Sequence, residues 1–405
     1  MLSLSLAILL AQNPAPKPVF VASTASAKPI VGTIQKLGSD FALEFAEPAA
    51  TVAAGKLDAL QQANLPRPPR PSGPQVRLAN RDAIPMASID GGDGTTVKLK
   101  AKLASKDEVP LTVPLASLAS VWWTDPPEPT LDEPDPLAWF DPSGKRDAVL
   151  LRNGDVVRGT LERFTDTGGI VFKPASESKS RTYDATALAA LATDPALSRA
   201  RVPKGPYAVA ILTDGTRLTI EKPELADGVV SAKMVSGSAV QWKLERLAAL
   251  AIEGTGTSVR LGDLKPLESK HEPFGRTPWP MVVDRSAKGL PILLKTALGE
   301  EFFDRGLGLH SKTTLTYAID GKYSRFEAIA GLDARSGRRG EVDLRFSVDG
   351  VEQSIPGLAK LNFSAAALPI SIDIAKAKKL TIIVDYGANG DVQDDVNLAD
   401  AKLFR

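Results

Sequence analysis

Apolar and polar positions alternate with a period of two over the most legible stretches of this chain. Val342, Leu344, Phe346 and Val348 are separated by Asp343, Arg345 and Ser347, the pattern of a strand with one buried and one wet face. Asp349-Gly350 follows and supplies a turn that tolerates positive φ. Leu315, Tyr317 and Ile319 repeat the device ahead of Asp320-Gly321. Ile370, Ile372 and Ile374 alternate as well, and Leu380 to Val384 is an apolar run rich in β-branched residues. Short strands divided by Gly, Asp and Asn turns predict two packed antiparallel sheets in the C-terminal part.

The first 256 residues carry a looser pattern that repeats. One copy begins Ala148-Val149-Leu150-Leu151-Arg152-Asn153-Gly154-Asp155, passes Gly159-Thr160-Leu161 and Gly169-Ile170-Val171-Phe172, and closes on Ala187 to Leu191. A second begins Ala208 to Gly215, passes Gly228-Val229-Val230 and closes on Leu244 to Leu250, so that Leu151 and Leu212 stand 61 residues apart. Val76 to Trp123 is a third copy and Ile30 to Leu60 a weaker fourth. Each reads as strand, turn, strand, strand and a short Leu-Ala closing segment. Such units bury a face poorly alone, so neighbours are expected to pack together or to form small barrels. The closing segments read as core ahead of partner grooves, and a spacer or assembly role, with a protein partner, is the default for these units.

These patterns divide the chain into a leader at 1–12, a β unit at 19–64, a Pro/Arg-rich linker at 65–75, and a β unit at 76–124. A Pro-rich acidic linker at 125–146, two β repeat units at 147–200 and 201–256, and a sandwich at 257–405 complete it. Proline at the density of Asp125 to Pro136 favours extended, semi-rigid linkers, which can also serve as docking peptides. The leader, an apolar Met1 to Leu10 followed by Ala11-Gln12-Asn13-Pro14, has the core and cleavage region of a secretory signal peptide without the usual basic residue. Export to the periplasm or the extracellular space is the expectation, against a mis-set start or a disordered tail. Beyond the leader no apolar run reaches the length of a membrane-spanning helix.

Composition narrows the chemistry. Lys plus Arg number 49 and Asp plus Glu 48, a balance that offers no electrostatic case for a nucleic-acid partner. The absence of cysteine excludes disulfides, thiolate metal sites and cysteine nucleophiles. There are only two histidines, His271 and His310, and no Gly-x-Ser-x-Gly elbow, phosphate-binding glycine loop or His-Glu-x-x-His helix, so the chain is expected to be non-catalytic. A glycosidase would need two carboxylates facing across a cleft, and nothing marks a particular pair.

The C-terminal motifs also carry a resemblance. Arg305-Gly306-Leu307-Gly308-Leu309-His310-Ser311, Leu315-Thr316-Tyr317, Tyr323-Ser324-Arg325-Phe326, Gly331-Leu332-Asp333, Val342 to Gly350 and Val396 to Ala401 occur in that order. Val259 to Pro266 and Thr277-Pro278-Trp279-Pro280 precede them. Together they resemble the NPCBM/NEW2 family of carbohydrate-binding modules over about Thr257 to Arg405. The resemblance implies a galactose-binding-like jelly-roll, a glycan or glycoconjugate as partner, no catalysis, and a structural Ca²⁺ of the kind related modules carry. Where members commonly show Asp-Trp-Ala-Asp-Ala, this chain has Asn397-Leu398-Ala399-Asp400-Ala401, which removes a core aromatic or a ligand platform.

Sugar sites pair an aromatic platform with planar polar side chains. Trp279, His310, Tyr386, Asn389 and Gln393 are the candidates near predicted loops. His310 reads either as a residue satisfied by backbone groups or as a hydrogen-bonding group at a ligand loop. Asp391, Asp394, Asp395 and Asn397, beside Asp385 and Asp400, form the densest set of oxygen donors. They read as Ca²⁺ ligands or as turn caps beside Gly387 and Gly390. Arg335 to Arg339 adds a basic corner able to meet an acidic glycan or to remain a solvated loop.

Overall fold

Four times between Val19 and Glu253 the chain lays down the same five-strand circuit. In the third unit, Asp147–Leu151, Val156–Phe164, Ile170–Pro174 and Arg181–Tyr183 form an antiparallel meander. A single 3-10 turn, Ala185–Ala187, then delivers Leu188–Ala192 back beside the first strand. The second unit, from Gln75 to Trp122, and the fourth, from Tyr207 to Glu253, run the same course. The first, from Val19 to Gln62, has a plain turn in place of the 3-10 segment. These are contents of the computed structural model, which describes residues 17–24, 28–275 and 277–405. The signal-peptide expectation over residues 1–12 lies outside them.

The local cause of the circuit is visible in its hydrogen bonds. The amides of Leu78, Leu151 and Leu212 each donate to the carbonyl four residues on, at Asp82, Asp155 and Thr216. The next amide in each case, of Ala79, Arg152 or Thr213, donates to the last residue of that unit's 3-10 turn, Ser117, Ala187 or Arg246. Gly154 and Gly215 take the positive φ these turns require. Gly159 sits where a Cβ would run into the Lys173 carbonyl of the neighbouring strand, which lets the second strand curl enough to close the barrel.

The Leu-Ala closing segments are core and joint at once. Leu57–Gln62 pairs with Leu247–Glu253, placing Leu60 opposite Leu250. Leu118–Trp122 pairs with Leu188–Ala192, placing Val121 opposite Leu191. The first unit therefore joins the fourth and the second joins the third. Leu188, Ala190, Leu191 and Ala192 are fully buried, as expected of strands covered on both faces.

From Ser258 onward the chain forms a sandwich. One sheet runs Val282–Val283, Gly306–His310, Asp395–Phe404, Arg325–Leu332, Leu368–Asp373, and the other runs Glu268–His271, Thr313–Ala318, Lys379–Tyr386, Glu341–Val348, Val351–Gln353. All the pairings are antiparallel. The alternating apolar positions point inward: Val342, Leu344, Phe346, Leu315, Tyr317, Ile370 and Ile372 are buried. Phe326 from one sheet meets Phe346 from the other at 5.7 Å between ring centroids. Helical structure among the described residues is confined to 3-10 turns, so the chain is all-β.

Barrels and sandwich meet along a charged seam threaded by the Pro/Arg-rich stretch. Arg67 pairs with Asp400 at 2.5 Å and lies over the Phe303 ring. Lys402 pairs with Asp58 at 3.0 Å, and Gln61 donates to Glu301 at 2.7 Å. Arg217 is only 2% exposed. Its Nε donates to Asp304 at 3.0 Å, and its two terminal nitrogens donate to the carbonyls of Pro68, Pro69 and Gly215. Although burial opposes its charge, the Arg217 and Arg70 guanidiniums hold the Asp304 carboxyl far below the usual carboxylate range. Replacing Arg217 by Gln strands this half-buried carboxylate with Arg70 alone. A loss of about 3 kcal/mol in unfolding free energy is expected by chemical denaturation of the full chain, while Lys36→Gln, whose partner Glu44 is likewise exposed, changes it by less than about 0.5 kcal/mol.

Candidate functional site

One end of the sandwich collects loops 271–283, 310–313, 333–341 and 386–395, and with them all five candidate sugar-contacting residues. The Pro-rich loop places Trp279, half-buried, over His310, with ring centroids 5.8 Å apart and planes 28° from parallel. Its hold is a directed relay. The Trp279 amide donates to His271 Nε2 at 3.0 Å, and His271 Nδ1 meets Thr313 Oγ1 at 2.9 Å. The Thr313 hydroxyl donates to the His310 carbonyl at 2.6 Å. Because Nε2 accepts, the proton of neutral His271 sits on Nδ1. Buried His310 meets the Ser311 carbonyl through its own Nδ1 at 2.8 Å, which fixes its donor in the same way.

The opposite side of this end is built from two loops pressed together. Asn389 donates from its amide to the Arg339 carbonyl at 3.1 Å, and Gln393 accepts from the Arg339 amide at 3.1 Å. Gly387 lies against the Glu341 carbonyl where a Cβ would collide, so only glycine permits this approach. Tyr386 donates its hydroxyl to the Glu272 carbonyl at 2.9 Å and stands edge-on to Phe274 at 5.9 Å. Burial, then Asp391 and neighbouring carboxylates, push the Tyr386 hydroxyl pKa up. Phe274 is 71% exposed, a solvent-facing aromatic that periodicity could not flag because it lies in a Pro/Gly loop. The basic corner divides: Arg335 is held by Asp333 at 3.0 Å, while Arg338 and Arg339 are exposed beside Asn389.

The four expected Ca²⁺ ligands do not converge. Asp394 accepts from the Ser311 hydroxyl at 2.7 Å and the Glu341 amide at 3.2 Å. Asp395 pairs with Lys288 at 2.6 Å, and Asn397 donates to Asp333 at 2.9 Å. Asp391 lies by Tyr386. Asp395 Oδ1 and Asn397 Oδ1 are buried without a partner, yet a lysine already neutralises the first. Among the described residues no group of three or more histidine or carboxylate side chains is arranged to hold a metal ion, so the residues present do not fit the group. Burial pushes the Asp394 carboxyl up to about 6 against the pull of its two donors.

Burial, and after it His310, lowers the His271 pKa below 6.5. In the unfolded chain His271 takes a proton near its ordinary value, so this site contributes stability at neutral pH that is lost as pH falls below about 6.5. Protonated His271 can no longer accept from the Trp279 amide. Lowering the pH through the His271 pKa is expected to free that amide, read as a lower protection factor at Trp279 after normalising to the intrinsic exchange rate at each pH, and His271→Phe is expected to show the low protection factor already at pH 7.

No curated protein matches this chain. Among solved structures, CBM51 from Clostridium perfringens GH95 in complex with methyl-galactose aligns at 24% identity, over 36% of this chain and 99% of that one, with a TM-score of 0.32. CBM51-2 in complex with GlcNAc and INT domains from Clostridium perfringens ZmpB aligns at 20% identity, over 49% of this chain and 43% of that one, with a TM-score of 0.33. The tandem CBM51 modules of Sp3GH98, the family 98 glycoside hydrolase from Streptococcus pneumoniae, align at 13% identity, over 64% of this chain and 87% of that one, with a TM-score of 0.34. The C-terminal part of this chain, residues 257–404, matches the NPCBM/NEW2 domain family, the family its motifs resemble.

Proposed function

We propose that this chain is an exported, non-catalytic glycan-binding protein of the cell envelope or extracellular space, and that the loop end of the sandwich takes the sugar. The observation that carries the reading is the set of aromatics at the loop end inside the matched domain. Phe274 is exposed there, Tyr386 and Trp279 are half-buried, and Asn389 and Gln393 stand on the Tyr386 side. Aromatic faces cover the apolar side of a sugar and planar amides meet its hydroxyls. The match of residues 257–404 to the NPCBM/NEW2 domain family supports the same ligand class.

The alternative, a structural scaffold or protein-interaction protein whose sandwich has lost sugar binding, which a flat apolar face across the repeats would favour, has less support. The closing strands that would offer that face pair with one another. The non-catalytic reading draws on the seam, where Asp284, Asp304 and Asp400 each hold an arginine instead of standing free as the carboxylate pair of a glycosidase must.

A glycan array probed with the full chain, with Ca²⁺ and again with EDTA, tests the reading. Binding to a defined sugar is expected, unchanged by EDTA. Loss in EDTA would restore the calcium expectation, and no binding by folded protein would return the assignment to a scaffold. Phe274→Ala is expected to weaken that binding by about tenfold, some 1.4 kcal/mol.

A further inference from the structure

We propose that Arg70, Arg77 and Arg285 form an oxyanion site where the second barrel, the acidic proline-rich linker and the sandwich meet, and that it takes the carboxylate, sulfate or phosphate group of an anionic ligand. The site is separate from the aromatic rim and stands without it.

A chain of contacts ties together the segments that carry the three arginines. Arg77 donates from Nε to Gln75 Oε1 at 3.0 Å, and the Gln75 amide donates to the Pro71 carbonyl at 2.6 Å, next to Arg70. Arg70 donates to the Arg81 carbonyl at 3.3 Å, and Arg81 pairs with Asp284 at 2.6 Å, the neighbour of Arg285. Arg285 reaches the Gly289 carbonyl at 3.5 Å. The linker passes over this spot, with Pro134 packed at Gly289.

The two seam carboxylates here are already committed, and Asp135 of the linker accepts from the Leu137 amide without pairing an arginine. Asp304 holds Arg70 and Arg217, and Asp284 holds Arg81 and Arg305. Neither Arg77 nor Arg285 makes an ion pair with any described carboxylate, and the terminal nitrogens of Arg77 have no described acceptor. Both residues are half-buried, so water compensates their charge only in part. Burial, then repulsion from Arg70 and Arg285, lowers the Arg77 pKa to about 10, and Asp135 is the acid that opposes this. Burial and then Arg70 lower Arg285 in the same way. Arg67 and Arg260, which have carboxylate partners, move up instead. An oxyanion bound between planar forks would supply the missing acceptors in the bidentate geometry that guanidinium favours.

The full chain is titrated with sodium sulfate against sodium chloride at matched ionic strength, and thermal unfolding is followed. A saturable rise in Tm is expected for the native chain, with the apparent affinity reduced tenfold or more in Arg77→Gln and in Arg285→Gln. A rise that never saturates and is equal in the native chain and both variants would be a bulk salt effect and would overturn the site. Should one variant fail to fold, the other carries the comparison. A galacturonate oligosaccharide that binds at least tenfold more tightly than sulfate assigns the site to an acidic saccharide, and equal affinities assign it to a free oxyanion. Trp279→Ala, which leaves these arginines untouched, is expected to bind sulfate like the native chain, so failure here and failure at the aromatic rim are distinguishable.

Discussion

A guanidinium has five donors in a rigid plane, and placing one away from water demands an acceptor for nearly every one. Arg217 meets that demand with Asp304 from the sandwich, Pro68 and Pro69 from the proline strap and Gly215 from its own turn. Three separate parts of the chain are therefore specified by one side chain. An apolar contact of similar area would tolerate sliding, whereas this one admits a single arrangement. The orientation of the sandwich relative to the barrels, and the direction in which its loop end faces, follow from it.

Around that point the two halves obey different rules. The barrels gain stability from strand pairing and Leu-Ala burial, with little side-chain chemistry at their joints. The sandwich keeps its apolar core between the sheets and pushes its polar networks to one end, where a histidine relay positions Trp279 and the close approach of Gly387 to Glu341 locks the opposite loops. Aromatic groups need not be buried at such an end because the framework beneath supplies the rigidity.

Much of this was legible in the chain itself wherever a local period existed. Val342 to Phe346 and Ile370 to Ile374 alternate and bury as their pattern predicts. What local pattern does not encode is which closing segment pairs with which. Leu60 and Leu250 look like any other core leucines. The seam was illegible for the same reason: Arg67 sits in what reads as a plain linker, and its carboxylate partner lies 333 residues away. The acidic stretch shows the opposite case. Asp394 ends a loop and Asp395 opens the strand Asp395–Phe404, and one reaches Ser311 while the other reaches Lys288. Density along the chain was no guide to convergence in space.

The nested joining of the four units also has a consequence for how the chain is made. The closing strand of the first unit, Leu57–Gln62, finds its outer neighbour only in Leu247–Glu253, while the second and third units can join each other well before that strand exists. At ribosomal speeds of about 5–20 residues per second, the gap between the two partners corresponds to roughly ten to forty seconds of synthesis. Throughout that interval the nascent chain displays an open strand edge, the feature that templates pairing with other chains. A holding factor that shields newly made strands would act on this protein during that window, at the unit that carries Leu57–Gln62.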